Sequence, residues 1–230
     1  MAGAWEIKES NKVVCAILHT DSTTVAWAFG LRNLMLPGRE ELRRFNPFLP
    51  ISGLPFDHGR NLSAMAMLDL RAQWLFSLDS DVVPPHDAIL RLLKHNQPFI
   101  SGLYARRSPP VGVPVMQRNG MWVTNYRPGS VIEVDVVGSG CMLVHRSVYE
   151  RLPPQRPEAG KHWYDWRVDM KDNPHYKKGS PMSEDFTFCE SVRRDLGIKI
   201  LVDTSVVCRH LGGSEAMPGV FQAMQTIPST

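Results

Sequence analysis

The chain has 230 residues, of which 43% are hydrophobic and 21% are charged. A chain of this length and composition can bury a sizeable core as one domain, which excludes global disorder. The 26 Lys and Arg residues outnumber the 23 Asp and Glu residues by only 3. A polyanion would therefore have to bind at a local patch, and a histone-like protein is excluded.

The beginning of the sequence predicts neither a signal peptide nor a membrane anchor. Its longest apolar run, 13–18, is far below the roughly 20 residues that cross a bilayer. The four cysteines are scattered without a Cys-x-x-Cys pair, and most of them lie in apolar stretches. They predict buried thiols in a reducing compartment, the cytoplasm, and no structural zinc site.

The first half of the chain alternates strand and helix patterns. The predicted strands are 13–18, 74–78 and 99–104, and the predicted helices are 25–31, 61–72 and 84–93. Prolines and glycines over 37–59 predict mostly irregular backbone in that stretch. This alternation indicates an α/β fold with a central, mostly parallel sheet flanked by helices.

The second half predicts mixed or antiparallel pairing. Strand patterns occur over 113–123, 131–137, 141–144 and 198–207, and Ser183 caps a helix that stops at Gly197. Residues 153–182 are rich in proline and glycine and predict a long loop with exposed aromatic side chains.

Two carboxylates, Asp79 and Asp81, directly follow the strand predicted over 74–78. Open α/β sheets bind their ligands at the carboxyl ends of the strands. Carboxylates there suit Mg²⁺ or Mn²⁺, whose charge can offset that of a leaving diphosphate. The pattern alone also fits a strand end followed by a helix cap, because Asp-x-Asp is short and common.

A second acidic pair, Glu184 and Asp185, opens the helix capped by Ser183, where the helix dipole stabilises carboxylates. Such a pair is commonly only a capping device. His210 ends the last predicted strand, and an imidazole there can complete a metal shell begun by the two aspartates. By itself it fits an ordinary histidine at a strand end.

Four blocks, in this order, resemble the GT-A fold glycosyltransferases, and glycosyltransferase family 2 in particular. They are Arg60-Asn61-Leu62-Ser63-Ala64-Met65 with Trp74-Leu75-Phe76-Ser77-Leu78-Asp79-Ser80-Asp81-Val82-Val83-Pro84-Pro85, Val136-Val137-Gly138-Ser139-Gly140-Cys141-Met142-Leu143-Val144, Ser183-Glu184-Asp185-Phe186-Thr187-Phe188-Cys189, and Val206-Val207-Cys208-Arg209-His210-Leu211-Gly212. The resemblance implies one Rossmann-like domain over 1–230. Within it, about 13–110 would be the nucleotide-sugar half, 111–213 the acceptor and catalytic half, and 214–230 a tail.

The resemblance also implies an activity. The protein would move a sugar from a nucleotide diphosphate sugar, with a UDP-sugar as the expected donor, to an acceptor hydroxyl with inversion. Asp81, Asp79 and His210 would hold Mn²⁺ or Mg²⁺. Asp185 would be the general base, with Glu184 beside it as support or as the alternative base.

Donor contacts are expected from Asp79 and Asp81 and from a further set. That set is His19, Thr20, Arg60, Ser80 and Arg106. Arg106 stands in an Arg106-Arg107 pair that would add positive charge near the diphosphate, although an exposed arginine pair also fits solvated surface. The chain departs from the family after the first strand, where His19-Thr20-Asp21-Ser22 replaces a Pro-Thr-Tyr-Asn type sequence.

Acceptor contacts are predicted at Gly138, Gly140, Trp163, Tyr164 and Trp166. Aromatic rings stack on sugars and on unpaired bases alike, and the loop over 153–182 carries six basic against four acidic residues. A hydroxymethylated base in DNA, a glycan and a protein side chain are all candidate acceptors. The loop tryptophans fit a structural role equally well.

Two other functions stay open. A nucleotidyltransferase would use the same paired-carboxylate metal site, although no glycine-rich phosphate loop with a lysine follows the first strand. A non-catalytic nucleotide-sugar binding module would keep the metal motif and lose the base, and the presence of Asp185 argues against that loss.

Overall fold

The computed structural model of the chain describes residues 12–20, 22–37, 47–109, 111–154, 162–166 and 182–212. Its strands are β1 Val13–His19, β2 Phe48–Ser52, β3 Trp74–Asp79, β4 Val82–Val83, β5 Phe99–Leu103, β6 Met116–Arg118, β7 Met121–Trp122, β8 Val131–Val134, β9 Val136–Val137, β10 Cys141–His145, β11 Ile200–Val207 and β12 Arg209–His210. Its helices are α1 Val25–Asn33, α2 Phe56–Asp69, α3 Ala88–Lys94, α4 Arg146–Arg151 and α5 Glu184–Leu196. The tail predicted over 214–230 lies outside the described residues.

Seven strands form the central sheet in the order β2, β1, β3, β10, β5, β11, β8. The pairs β1 with β2, β1 with β3, and β5 with β11 are parallel. β10 runs antiparallel to both β3 and β5, and β8 runs antiparallel to β11. Every strand of the sheet other than β8 and β10 therefore runs in one direction, which confirms the predicted mixed, mostly parallel sheet of a Rossmann-like nucleotide-binding fold.

Helices cover both faces of the sheet. Alternate residues of β1 enter different cores: Val14 and Ala16 pack with α2, α4 and α5, whereas Val13, Cys15 and Ile17 pack with α1 and α3. Burial on both faces explains why β1 is a continuous apolar run. All four cysteines are buried and free, as predicted. Within the part of the chain that the structure describes, no helix combines the length and the apolar character that a membrane crossing needs.

Capping residues mark the start of α1 and both ends of α5. The side-chain oxygen of Thr24 accepts a hydrogen bond from the backbone N–H of Trp27 at 3.2 Å, which caps α1. Gly197 ends α5 in the left-handed region with φ 64°, which favours glycine. Ser183 precedes α5 as its N-cap. The start of α5 therefore lies where the sequence predicts it.

The prediction of mostly irregular backbone over 37–59 is wrong for residues 47–59, because this part contains β2 and the first turn of α2. Residues 38–46 lie outside the described ranges. Pro50 is tolerated in β2 because β2 is an edge strand, where one side of the backbone needs no partner. Gly59 lets α2 approach the sheet closely, since a Cβ atom there would lie 3.2 Å from Leu18 Cδ2.

A short ribbon of β4 and β12 stands just beyond the end of β3. The two strands are antiparallel, with His210 opposite Val82. The pairing keeps 82–83 extended. α3 begins at Ala88, later than the prolines predict, and Pro85 disfavours helical backbone at the residue before it. The ribbon brings His210 next to Asp81.

Candidate active site

A cavity of about 1210 Å³ opens at the edge of the sheet where β1, β2, β3 and β5 end. The predicted site residues that line it are His19, Thr20, Asp79, Ser80, Asp81, Arg106 and His210. The exposed apolar side chains of Leu54 and Phe56, which follow β2, form another part of its wall. Parallel strands carry their carboxyl ends to one edge, which is why residues distant in sequence meet here.

The backbone fixes Asp81 and His210 relative to each other. The N–H of Leu211 donates to the carbonyl of Asp81 at 2.7 Å, and His210 Nε2 lies 3.5 Å from Asp81 Oδ1. The other ring nitrogen of His210, Nδ1, lies 2.7 Å from the carbonyl oxygen of Ala105. A carbonyl only accepts, so Nδ1 carries a proton, and Nε2 is the ring nitrogen that faces Asp81.

Asp81 and His210 fit a divalent cation by their chemistry. A carboxylate oxygen and an imidazole nitrogen are donors for Mn²⁺, and a hydrogen bond from Nδ1 to a carbonyl is the usual support of a metal-binding histidine. Burial by itself would raise the pKa of Asp81, but His210 and Arg107 lower it below the ordinary value, so the carboxylate is ionised at neutral pH. Among the described residues, no group of three or more His, Cys, Asp and Glu side chains forms a metal cluster.

Asp79 faces a different partner. Its Oδ1 accepts a hydrogen bond from Arg60 Nη2 at 3.0 Å, and Trp27 Nε1 donates to its carbonyl oxygen at 3.0 Å. Arg60 is 4% exposed, and its Nε donates to Glu184 Oε1 at 3.1 Å. Arg60 was predicted to contact the nucleotide; the structure instead buries it between two carboxylates, where it joins the end of β3 to the start of α5.

Of the two adjacent arginines after β5, Arg107 is the one that contacts Asp81. Its Nη2 lies 2.7 Å from Asp81 Oδ2. Arg106 lines the cavity, and its guanidinium carbon lies 4.4 Å from the centre of the Trp122 ring. The sequence analysis assigned the donor contact to Arg106. The two arginines differ only in the folded protein, where Arg107 contacts Asp81 and the carbonyl of Leu211 after β12.

Asp185 is held at the N-terminus of α5. Its Oδ1 accepts hydrogen bonds from the hydroxyl of Ser183 and, at 2.8 Å, from the backbone N–H of Phe186. Its Oδ2 accepts one from the N–H of Ser139 at 3.3 Å. These donors fix the direction in which the carboxylate points.

Burial raises the pKa of both acidic side chains at this helix start. For Glu184, the charge of Asp185 raises it further while Arg60 opposes the shift. For Asp185, Arg60 and the hydrogen bonds from Ser183 and Phe186 oppose the effect of burial, and the pKa still lies above that of an ordinary aspartate. A carboxylate with a raised pKa is a stronger base. Glu184 is buried and ion-paired, whereas Asp185 is partly exposed. Neither side chain is among the residues that line the described cavity.

Gly138 and Gly140 were predicted as acceptor contacts, and both are buried against Tyr104. A Cβ atom on Gly138 would lie 2.0 Å from Tyr104 Oη, and that hydroxyl oxygen accepts a hydrogen bond from the N–H of Gly140 at 3.0 Å. The carbonyl of Gly140 accepts from the N–H of Asp79 at 3.3 Å. The turn over 138–140 therefore supports both Asp79 and, through Ser139, the general-base candidate.

The prediction of an exposed aromatic set in the loop over 153–182 is wrong for Trp163 and Tyr164, which are 2% and 0% exposed. Asn61 Oδ1 accepts hydrogen bonds from both of their backbone N–H groups, at 2.7 and 3.1 Å. The Tyr164 ring stacks on Phe188 of α5 with ring centres 4.2 Å apart. Trp166 is 47% exposed. Residues 155–161 and 167–181, with most of the loop's charged residues, lie outside the described ranges.

A pair of aromatic rings includes the residue that follows Asp185. Phe186 follows it in α5, and the Trp122 ring of β7 has its centre 6.1 Å from that of Phe186. Both rings are partly exposed. Sequence reasoning missed Trp122, because β7 is only two residues long and no local pattern relates it to α5.

Comparisons with known proteins support the fold. No protein-family model matches the sequence, and no curated protein sequence matches it. Among solved structures, A197 from STIV has a TM-score of 0.59 with 13% identity, covering 90% of this chain and 94% of that one. Mannose-1-phosphate geranyltransferase from Thermus thermophilus has a TM-score of 0.41 with 10% identity, covering 61% of each chain. The likeness to A197 covers most of the chain and shows the fold alone. The second TM-score is too low to support the fold. Membership of glycosyltransferase family 2 stays a prediction.

Proposed function

We propose that this protein is a metal-dependent glycosyltransferase that transfers a sugar from a nucleotide diphosphate sugar, a UDP-sugar by expectation, to an acceptor hydroxyl. The observation that carries the proposal is the Arg60 bridge. Its two hydrogen bonds, to Asp79 and to Glu184, join the edge of the donor cavity to the helix start that holds Asp185. The bridge supports a single site in which Asp81 and His210 would bind the cation and Asp185 would be the base, the two groups that glycosyl transfer from a diphosphate requires.

The donor would occupy the cavity at the ends of β1 and β3. Asp81 and His210 would hold Mn²⁺ or Mg²⁺, which supplies positive charge to the leaving diphosphate. His19, Thr20 and Ser80 line the same cavity and offer polar groups to the nucleotide. Asp79, whose Oδ1 pairs with Arg60, would accept a hydrogen bond from the ribose or the sugar with its second oxygen.

The reaction would proceed with inversion. Asp185 takes the proton of the acceptor hydroxyl while that oxygen forms its bond to the anomeric carbon. The bond from the anomeric carbon to the diphosphate oxygen breaks, and its electron pair leaves with the nucleoside diphosphate. Ser183, Ser139 and the N–H of Phe186 hold the Asp185 carboxylate for this step.

The acceptor would lie over Trp122 and Phe186, beside the base. Aromatic surfaces stack on pyranose rings and on nucleobases, so a glycan and a hydroxymethylated base in DNA could both stack on these two rings. A protein side chain is the third candidate. Exposed Trp166 stays a proposed contact. Replacing Trp122 by Ala should raise the KM for the acceptor while leaving donor binding unchanged.

The experiment that tests the proposal asks about the donor first. The protein is mixed with a panel of nucleotide sugars and with Mn²⁺, Mg²⁺ or a chelator, and thermal stability and nucleoside diphosphate release are measured. A donor at 100 times its Kd should add about 2.7 kcal/mol to the free energy of unfolding. The stabilisation should need the metal, disappear in Asp81→Asn and persist in Asp69→Asn, which removes the same charge from an exposed position in α2.

Two outcomes would redirect the proposal. Metal-dependent binding of a nucleoside triphosphate, with no nucleotide sugar bound, would favour a nucleotidyltransferase. Binding of a nucleotide sugar with no transfer to any acceptor and no change in Asp185→Asn would favour the non-catalytic binding module.

A further inference from the structure

Arg107 contacts the same carboxylate that the proposed function assigns to the metal. Its Nη2 lies 2.7 Å from Asp81 Oδ2, while His210 Nε2 lies 3.5 Å from Oδ1 of that carboxylate. Both oxygens of Asp81 therefore face a nitrogen-bearing side chain of the protein. The guanidinium already supplies a positive charge at this place in the free protein.

The turn after β12 is fitted to the Arg107 side chain. Nη1 donates a hydrogen bond to the carbonyl of Leu211 at 2.9 Å. Gly212 has φ 139°, and a Cβ atom on it would lie 2.7 Å from Nη1 and 2.9 Å from Cδ of Arg107. A side chain at 212 would be strained and would displace the arginine. The backbone thus leaves room for a guanidinium beside Asp81.

A guanidinium and a divalent cation compete for this carboxylate. Two positive groups on one carboxylate repel each other, and the repulsion is strong where the site is partly shielded from water. A diphosphate, in contrast, offers a guanidinium paired oxygens with the geometry that arginine prefers. The Arg107 side chain is 45% exposed, so it can change partners without repacking the core.

We propose that Arg107 exchanges partners when the donor binds, an inference that rests on the proposed glycosyltransferase function. In the free protein Arg107 neutralises Asp81 and hinders a cation from binding alone. In the donor complex the guanidinium turns to the diphosphate and leaves the Asp81 carboxylate to the cation. Metal and nucleoside diphosphate then bind with positive coupling, and Arg107 adds to the neutralisation of the leaving group.

The first arm of the test measures Mn²⁺ binding to the intact protein in the absence of nucleotide, from the electron paramagnetic resonance signal of free Mn²⁺. Arg107→Met should bind Mn²⁺ about 10-fold tighter than the wild type, a change within the ordinary range of coupling between sites. Arg107→Lys keeps the charge and should stay near the wild type. Arg194→Met removes one positive charge from the exposed surface of α5, where Arg194 pairs with Asp195, and should also match the wild type.

The second arm measures UDP affinity at saturating Mn²⁺. Here Arg107→Met should bind about 10-fold more weakly than the wild type, because the diphosphate loses a charged partner. One substitution would thus tighten binding of the metal alone and weaken binding of the nucleotide. A residue that only supports the fold would not move the two affinities in opposite directions, and melting curves of each variant check that it is folded.

The results that would overturn the inference are distinct. Equal Mn²⁺ affinities in the wild type and Arg107→Met, both lost in Asp81→Asn, would overturn the exchange and leave the metal site intact. Metal-independent UDP binding that Arg107→Met abolishes would overturn it too, since Arg107 would then stand permanently in place of the cation. Absence of Mn²⁺ binding from both proteins, with and without UDP, would overturn the inference together with the metal-dependent function.

Discussion

Arg60 Nε and Glu184 Oε1 lie 3.1 Å apart although their residues are 124 positions apart in the chain, and both side chains are buried. The same guanidinium binds Asp79, and its charge lowers the pKa of Glu184 and of Asp185 against the effect of burial. A buried charge whose partner is removed is strongly destabilising. The Arg60 bridge is therefore both a structural link and the group that keeps the neighbouring acids ionisable.

The first prediction concerns the stability that this pair contributes. Arg60→Met should lower the free energy of unfolding by about 3 to 5 kcal/mol, because it leaves buried carboxylates without their counter-charge. The double variant Arg60→Met with Glu184→Gln should lose less than the sum of the single losses, by about 1 kcal/mol or more. Denaturant unfolding at pH 7 measures all three. Lys199→Met is the control, since Lys199 pairs with Glu133 at 2.7 Å and both side chains are exposed; its free energy of unfolding should fall by about 1 kcal/mol or less. Strictly additive losses at Arg60 and Glu184 would contradict the bridge.

The second prediction concerns the proposed base. Asp185→Asn should reduce kcat for sugar transfer by about 10²- to 10⁴-fold and leave the donor Kd near the wild-type value, because the amide keeps the shape and loses the basic oxygen. Stopped or quenched product assays give kcat, and titration with the donor gives Kd. Glu184→Gln should bring a smaller loss of kcat, with lower stability. Full transfer by Asp185→Asn would remove this residue from the mechanism.

The third prediction concerns the pH profile of the same reaction. A general base acts in its deprotonated form, so kcat/KM should fall as pH drops through the pKa of Asp185. Burial raises that pKa, so the acid limb should lie above the range of an ordinary aspartate, about 3.9. Arg60→Met should move the limb to still higher pH, since the positive charge of Arg60 lowers this pKa. An acid limb that stays in place in Arg60→Met would show that another group controls the profile.

Most of the sheet could be predicted from the sequence because its strands are buried on both faces. β1 and β10 contain continuous apolar runs, and β3 and β5 are mostly apolar with a buried serine in each. This signal is local. β2 could not be predicted, because Pro50 opposes a strand unless the strand lies at an edge, and edge position is a property of the whole sheet.

Some residues of the candidate site could be predicted from local sequence pattern, and others depend on the whole fold. Asp79 and Asp81 end an apolar strand, and Glu184 and Asp185 begin a capped helix, so local pattern predicts them and the fold gathers them. The burial of Trp163 could not be predicted, because it depends on the hydrogen bond that its backbone N–H donates to Asn61, a residue of α2. The contacts of Arg107 likewise depend on the ribbon of β4 and β12, whose pairing no short-range pattern reveals.

The fourth prediction concerns the glycine turn behind the site. Gly138→Ala should lower the free energy of unfolding by about 1 to 3 kcal/mol, because the new methyl group would overlap Tyr104 Oη. Combining it with Tyr104→Phe removes the overlapping atom, so the double variant should lose less than the sum of the single losses. Gly197→Ala is strained for another reason, its φ of 64°, and should show no such coupling with Tyr104→Phe. Thermal or denaturant unfolding measures these differences, and an additive double variant would refute the contact.

The last prediction concerns acid stability, and it depends on His145. This side chain caps α4: its Nδ1 accepts a hydrogen bond from the backbone N–H of Ser147 at 3.2 Å, and its ring packs edge-on against Trp74 at 4.8 Å between centres. Burial lowers the pKa of His145 to about 4, with Arg146 lowering it further and Glu150 opposing. In the unfolded chain the pKa is about 6.5.

Between these two values the unfolded chain binds more protons than the native protein, so stability rises with pH in this window. The contribution of His145 to the free energy of unfolding is complete above about pH 6.5 and is lost as pH falls towards 4. Between pH 7 and pH 5 the free energy of unfolding should fall by about 2 kcal/mol more in the wild type than in His145→Asn. Asparagine is a good helix cap and does not titrate, so the variant keeps the cap and lacks this pH dependence. Unfolding in denaturant at both pH values gives the difference. His86→Asn changes an exposed histidine and should lose as much as the wild type, whereas equal losses in the wild type and His145→Asn would show that acid acts elsewhere in the fold.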